Sequence, residues 1–535
     1  MSKLDTSTLA ELVRRETSLR HLIESRADEL GAETYLQFER KTYSYGDMDR
    51  LANQAANGLA QLGVGRGARV AVMMRNSVEW LAAWFGTVKL GAVIVPVNAA
   101  YRGDGLAHVV NDCGASVAFA DADLCERFEA IRSEIPRLRT LVSRAAGGVP
   151  AIGLSFPELL DAADSRPADV ALRPRDPAAI LYTSGTTGPA KGCVLPHGQY
   201  LAAAHQMNYN NEYSRGAVLY SCLPLNHINA QNYSVLCSWA AGGQLALDEK
   251  FTASGFWQRL IDTGAEAFNI IGGIPLMLWA QPERPEEKLH KARVAFGVPV
   301  PLDIWEQWEE RFGVRVVYAY GMTENGLPTV FPYDATPAAA GLRGSGGQAS
   351  PSAEVAVVDE EDQQVAPTVV GEIVTRSKIP WTMMLEYYNN PAATVDAWRN
   401  GWFHTGDLGY VDEAGYLFYV DRKKDAMRRR GEMVSSWDVE TVSGSYPGVR
   451  EVVAYAIPSE LGEDEIMTAL VVDDPATFSS AGFVAFCRDH MAAFQVPRFV
   501  RLVSEFPRTQ TSRVEKYKLR TEGVTEDTFD AMAST

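Results

Sequence analysis

The sequence predicts an α/β protein whose larger part is a mostly parallel sheet with helices on both faces. Three observations carry this prediction. Short apolar runs alternate with stretches of helical periodicity through the first hundred residues. Polar glycine-bearing turns follow later apolar runs, at Tyr182 onward and again at Tyr320 onward. At 535 residues the chain exceeds one ordinary domain, so at least two are expected.

The elements read in order as follows. Residues 9–30 have helical spacing and many charges, which predicts a surface helix. Residues 41–45 read as a strand. Leu51, Ala55, Leu59 and Leu62 recur at helical intervals, and Gly63 is a stop signal. Residues 70–73 form an apolar strand, and a helix opens at residues 76–80 with Asn76 or Ser77 as its cap. Residues 91–98 are strand again. Residues 143–177, richer in Ala, Gly, Pro and Asp, read as a linker.

Composition excludes several functions. A net charge of −17 argues against sequence-independent nucleic-acid binding and against an anionic membrane surface. Cys113, Cys125, Cys193, Cys222, Cys237 and Cys487 are scattered without metal spacing, so they read as reduced, buried thiols of a cytoplasmic protein. Residues 1–30 lack an apolar signal core, and no apolar run is long enough to span a bilayer.

The chemistry concentrates in short motifs. After the apolar lead Ala178-Ala179-Ile180-Leu181 come Thr183, Ser184, Gly185, Thr186, Thr187 and Lys191. Glycine lets backbone N–H groups turn toward a ligand, hydroxyls add donors, and the lysine adds charge: a cradle for phosphate oxygens. Gly192, not Ser or Thr, follows the lysine, so this is not the common nucleotide loop. Tyr320-Gly321-Met322-Thr323-Glu324 ends a strand in a glycine turn, where ligands of parallel sheets sit. Tyr320 can stack on adenine, Thr323 can donate to phosphate or carboxylate, and Glu324 is a hard oxygen ligand for Mg²⁺. In Gly401-Trp402-Phe403-His404-Thr405-Gly406-Asp407, the carboxylate can accept from two ribose hydroxyls. An apolar strand gives way to dense charge at Asp421, which places a boundary between domains of residues 1–420 and 421–535. Gly272 and Gly273 follow another strand and read either as close backbone packing or as space left for a ligand. Arg428, Arg429 and Arg430 form a basic run that is a solvated hairpin or an anion site.

In this order the motifs resemble the signatures of the adenylate-forming superfamily, which holds acyl-CoA synthetases, adenylation domains and luciferases. The likeness runs from about Tyr43 to Arg520. The free-standing form and the Arg-Arg-Gly-Glu stretch are most similar to acyl-CoA ligases of carnitine/crotonobetaine-like and medium-to-long acids. The resemblance implies a large N-terminal domain of mixed and parallel sheets, a small mobile α+β C-terminal domain, and an active site in the cleft between them. It implies ATP and AMP, Mg²⁺ and coenzyme A as cofactors, and a carboxylic acid or acyl-adenylate as substrate. It lays Gly297, Val298 and Pro299 along adenine and sets His227 between acyl pocket and thiol entry. Ile228, Asn229, Gly272 and Gly273 would line that pocket, which favours a bulky apolar acid. Arg422 would meet ribose and phosphate, Asp421 would be the hinge, the arginine run would meet coenzyme A phosphates, and Gly431 would leave room for pantetheine. A homodimer and a separate adenylating enzyme are the protein partners it admits.

One motif departs from the family. Residues 506–520 resemble the last signature, PxTxxGKxxKxxLR, but Ser512-Arg513 stands at the Gly-Lys positions. In the family that lysine bridges acyl carboxylate and α-phosphate during adenylation and has no part in thioester formation. Losing such a cation lowers rate by about 10²–10³-fold. Arginine keeps the charge but is longer, planar and forked. Arg513 therefore either performs adenylation less well or marks a protein specialised for transfer of a preformed acyl-adenylate to coenzyme A. Lys516 or Lys518 substitutes only if the loop shifts register. Two other readings stand beside these: a nucleotide- or acyl-adenylate-binding protein without turnover, and a luciferase-like oxygenase.

Overall fold

The computed structural model describes residues 4–144, 153–183, 190–297, 300–331, 342–423, 427–429, 432–434, 436–458, 464–508 and 514–533. Apolar strands of four to seven residues that alternate with helices bury both faces by pairing in parallel. Two such sheets form. One runs, in spatial order, through Arg315–Tyr318, Val294–Gly297, Ala267–Ile270, Val218–Ser221, Gln244–Leu247, Thr34–Phe38 and Lys41–Ser44. All its pairings are parallel except the last, a hairpin. The other runs through Glu386–Tyr387, Lys191–Pro196, Pro177–Thr183, Val93–Pro96, Arg69–Met73, Val117–Asp121, Thr140–Arg144 and Leu154–Ser155. Its antiparallel end, where Lys191–Pro196 meets both Pro177–Thr183 and Glu386–Tyr387, carries the phosphate motif.

The helices Tyr45–Gln61, Val78–Lys89 and His197–Asn211 contribute to the main core, with Trp80, Trp84, Trp239 and Trp308 fully enclosed. Ser44 and Asp47 form a capping box on the first, and Ser77 accepts from Trp80 N at the start of the second. Asn76 has a different task. Its amide donates to the carbonyls of Leu223 and Asp248, and its oxygen accepts from Leu225 N, so it ties the second sheet to the first.

A third sheet, antiparallel, contains Ser345–Ala349, Tyr416–Arg422, Trp402–Val411, Gly371–Ser377 and Ala353–Val358. Beyond it lie the strands Val449–Pro458, Asp464–Val472, Phe499–Leu502 and Phe529–Asp530, with the helices Ser436–Gly444, Ser480–His490 and Lys516–Glu522. Among the described residues, no strand after Arg422 pairs with one before it. The predicted class therefore holds: a large α/β part and a small α+β part. All six cysteines are free and buried. Among the described residues, no helix is long and apolar enough to cross a membrane.

Two sequence expectations are corrected. Residues 9–30 are two helices, Thr6–Glu16 and Leu19–Leu30, broken at Thr17, whose φ is 55°. They are not a surface element, because Leu9, Val13, Leu19, Leu22 and Ile23 are buried. The buried Arg20 donates to the carbonyls of Lys89, Pro167 and Ala168. The expected linker at 143–177 is also part of the fold. It contains the edge strand Leu154–Ser155 and the helix Phe156–Leu160, whose capping box joins Ser155 and Glu158. Asn57 holds the carbonyls of Ala163 and Ser165 at 2.7 and 2.8 Å. Side chain-to-backbone bonds across a hundred residues leave no periodic trace in sequence, and Gly/Pro-rich composition misleads.

His197, at the start of the helix His197–Asn211, is fully buried, and its Nδ1 accepts from Leu19 N at 3.2 Å. Burial pushes its pKa down from 6.5 to about 4. A base with a depressed folded pKa lends stability above its unfolded value and loses it as acid protonates the unfolded chain first. We predict that unfolding free energy falls between about pH 6.5 and 4, by ~3 kcal/mol from this group. Denaturant titrations of the native chain and of His197→Gln across that range check it: the variant is expected to show a shallower slope.

Candidate active site

The strands on either side of the expected phosphate motif pair antiparallel. Thr183 pairs with Lys191, and Leu181 with Cys193, across the strands Pro177–Thr183 and Lys191–Pro196. Ser184, Gly185, Thr186 and Thr187 lie outside the described residues. Gly192 is required by close approach, since a Cβ there would sit 2.7 Å from Ile180 Cγ2. Lys191 is exposed, and its Nζ lies 5.1 Å from the centre of the Tyr387 ring.

That ring also reaches the second motif. The Tyr387 hydroxyl donates to Glu324 Oε1 at 3.0 Å, and Glu324 is 6 % exposed. Burial first, and the carboxylate beside it second, hold the phenol well above the usual tyrosine range, so it remains a donor. Glu324 and Lys191, more than a hundred residues apart, thus share one phenol. Sequence reading missed Tyr387. It sits in a two-residue strand, paired with Cys193, and no motif marks it.

The turn at residues 320–324 is built by backbone contact. A Cβ on Gly321 would lie 2.2 Å from Gly326 O, and one on Gly346 would lie 2.8 Å from Tyr320 Cβ. Gln199 Nε2 donates to Thr323 O at 2.8 Å, Met322 N donates to Asn325 Oδ1, and the Thr323 side chain is half-buried. Tyr320 is buried, its ring 6.4 Å from that of Tyr419, and its hydroxyl donates to Asp407 Oδ2 at 2.8 Å. The expected adenine and ribose motifs therefore meet directly. Gly297 pairs with Ile270 across the sheet, and a Cβ there would fall 1.8 Å from Ile270 O. Val298 and Pro299 lie outside the described residues.

Asp407 stands opposite Arg422 on adjacent strands, with Arg422 Nε 3.4 Å from Asp407 Oδ1. The neighbouring Asp421 faces the other way. Its Oδ1 accepts from Arg422 N, and its Oδ2 accepts from Ser436 N at 2.6 Å, at the start of the helix Ser436–Gly444. A carboxylate at a helix N-terminus satisfies an open amide and the helix dipole together. Lys423 Nζ, two residues on, lies 2.9 Å from Glu372 Oε2. Burial works against the Glu372 charge, yet Lys423 and His404 outweigh it and hold the carboxyl below its usual range.

His227 is half-buried and precedes the helical turn Ile228–Ala230, which runs into a π-helical segment, Gln231–Leu236. Asn229 Oδ1 accepts from Asn269 Nδ2 at 2.9 Å. Gly272 has a φ of 56°, and a Cβ there would meet nothing within 4 Å; at Gly273 it would meet only Met277 Cε at 3.8 Å. Open space surrounds both glycines, so close backbone packing is not their reason.

The basic run divides. Arg429 departs from expectation: the residue is 5 % exposed, and its guanidinium donates to Val496 O and lies 2.7 Å from Glu465 Oε2. It braces the small part of the fold. The Arg428 side chain, Arg430, Gly431 and Arg513 lie outside the described residues.

The shared Tyr387 contact and the Tyr320–Asp407 pair bring the sequence motifs together, and comparison with known proteins places the chain among the AMP-forming acid–thiol ligases. Residues 23–388 match the AMP-binding enzyme family, and residues 438–513 match the AMP-binding enzyme C-terminal domain. The chain belongs to the AMP-binding enzyme family. It is 30 % identical over 515 residues to the crotonobetaine/carnitine–CoA ligase of Proteus mirabilis, covering 94 % of this chain and 98 % of that one. Among solved structures it resembles a Mycobacterium tuberculosis fatty acyl CoA synthetase, with 28 % identity, TM-score 0.74, and coverage of 95 % and 99 %. It also resembles the anthranilate CoA ligase AuaEII in complex with anthranoyl-AMP, with 24 % identity, TM-score 0.83, and coverage of 94 % and 97 %.

Replacing Tyr387 by Phe removes the hydroxyl that Glu324 accepts from and keeps the ring under Lys191. Stability is predicted to drop by about 1.5–3 kcal/mol, the range for a hydrogen bond to a buried charge. Urea denaturation measures it, with an unchanged midpoint contradicting the role given to this phenol.

Proposed function

We propose that this ligase is specialised for the second half-reaction, moving a bulky, largely apolar acyl group from acyl-AMP to coenzyme A. The single observation behind this is Ser512-Arg513 at the positions where the superfamily signature carries Gly-Lys. The other lysines of that stretch are engaged elsewhere. Lys516 Nζ lies 2.6 Å from Glu440 Oε1 and donates to Ser436 Oγ, and Lys518 pairs with Glu515. Neither is held ready to replace the missing ammonium.

In this reading Thr183, Ser184, Thr186, Thr187 and Lys191 hold phosphates, Tyr320 and Gly297 border adenine, and Asp407 with Arg422 holds ribose. Thr323 donates to the phosphate or acyl carboxylate. His227 orients the acyl group at the thiol's entry path. Residues 1–420 and 421–535 are the two domains, and Asp421 is their swivel. The Ser436 amide holds the Asp421 side chain, while the strand that carries Asp421, Tyr416–Arg422, starts in the large domain and pairs there with Trp402–Val411. Such element-terminal residues absorb the φ/ψ change of a rotation. Glu324, an oxygen donor near Lys191, suits a hard cation, and Mg²⁺ bound there would neutralise phosphate charge. A separate adenylating enzyme would supply the acyl-adenylate, and the six buried free thiols fit a cytoplasmic setting.

Two assays with an acid panel test the split. Acyl-CoA is expected from synthetic acyl-adenylates plus coenzyme A, and pyrophosphate exchange with ATP is expected to be weak or absent. Robust exchange by the native chain refutes the specialisation. Arg513→Lys is predicted to raise exchange by about 10²-fold or more. Glu324→Gln in that background is predicted to remove about 10²–10³ of the gain.

A further inference from the structure

The strand Trp402–Val411 does not run evenly against Gly371–Ser377. Glu372 stands opposite Leu408 and Val374 opposite His404, so Thr405, Gly406 and Asp407 face Ile373 alone. This is a bulge, a device that re-aims side chains and is frequent beside active sites. Gly406 has a φ of 68°, which a residue with a side chain rarely adopts. The bulge turns the Asp407 carboxylate to the Tyr320 hydroxyl and to Arg422. Extra residues in a ladder leave backbone groups without strand partners, and other groups must satisfy them.

Two side chains do so. The Thr405 hydroxyl donates to Ile373 O at 2.6 Å and accepts from Asp407 N at 3.1 Å. Glu372 Oε1 accepts from Gly406 N at 3.2 Å. Its other oxygen, Oε2, accepts from Lys423 Nζ at 2.9 Å, and Lys423 N donates to Gly406 O at 2.9 Å. Glu372, Gly406 and Lys423 therefore close a ring in which each bonds to the other two. His404 Nδ1 lies 3.3 Å from Glu372 Oε2, and Arg399 Nη2 lies 2.8 Å from that nitrogen. Glu372 is buried, whereas the Lys423 side chain is half-exposed. A carboxylate enclosed in this way is costly unless its partners stay in place, so the turn before Asp407 and the Lys423 ammonium both depend on it.

We propose that Glu372 is a positioning residue for Asp407: it fixes the bulge that aims the ribose-binding carboxylate, and Lys423 makes that hold depend on where the chain beyond Asp421 sits. Glu372 itself touches no nucleotide in this reading; it acts through Gly406. A rotation about Asp421 draws Lys423 away and leaves the buried carboxylate short of a partner, so the grip on ribose loosens as the small domain swings. The inference rests on the ligase reading, in which Asp407 binds ribose, and adds a link from domain orientation to nucleotide affinity.

Calorimetric titration of the full chain with AMP and with 2′,3′-dideoxy-AMP tests it, because the two differ only in the hydroxyls that Asp407 accepts from. The native chain is expected to bind AMP about 10-fold or more tightly. Glu372→Gln, an isostere with one accepting oxygen, is expected to cut that preference to about 3-fold or less. Lys423→Met, at a half-exposed position, is expected to lower it at least about 2-fold, and it carries the test should Glu372→Gln fail to fold. General damage to the site weakens both nucleotides alike and leaves their ratio where it was. A native preference kept by every variant that folds overturns this inference and leaves the ligase reading standing. A preference lost in Glu372→Gln but kept in Lys423→Met supports the role of Glu372 and overturns the link to the chain beyond Asp421. Equal binding of the two nucleotides by the native chain refutes ribose binding by Asp407, and this inference with it. If neither nucleotide binds, the adenylate cleft itself is refuted.

Discussion

The hydroxyl of Tyr387 against the carboxylate of Glu324 is the contact on which the site depends. A carboxylate enclosed in protein needs donors, and the phenol supplies one while its ring takes the Lys191 ammonium on its face. One side chain thereby contacts both a negative and a positive group of the candidate site. The strand Glu386–Tyr387 is placed by pairing with Lys191–Pro196, and Met384 N donates to Glu324 O. The strand Lys191–Pro196 and the carboxylate turn are thus connected by backbone as well as by side chain.

A second set of contacts joins the two parts of the chain. Asp421 belongs to a strand of the larger part, yet its carboxylate satisfies the first amide of the helix Ser436–Gly444. Ser436 in turn accepts from Lys516, so the helix start, the Asp421 carboxylate and the last motif are joined in one line. Glu440 completes it: burial raises its pKa, and Lys516 works in the opposite direction. Lys423, two residues after Asp421, adds an ion pair with Glu372. These are short polar contacts at a chain crossing, and a rotation about Asp421 would have to exchange them for others.

Much of the site was legible because its motifs are local. Glycines at 321 and 192 sit where a Cβ would collide with neighbouring atoms, and Asp407 stands directly across from Arg422. What escaped was long-range. Tyr387 has no neighbouring motif, Asn76 appeared only as a cap candidate, and residues 143–177 looked like a linker because their bonds run to Arg20 and Asn57. Arg429 looked like a surface cation, since a charge run does not announce which of its members finds a buried carboxylate.

By itself the sequence determined the alternation of strands and helices, the order of the glycine turns, and the exchange of lysine for arginine at position 513. These are properties of residue type and spacing, which local stereochemistry converts directly into strand, helix and turn. Tertiary structure alone decided which polar groups meet: Glu324 with Tyr387, Tyr320 with Asp407, Asn229 and Ser234 with Asn269. Such pairings follow from how sheets and helices pack, and a linear pattern carries no measure of distance between residues far apart in the chain.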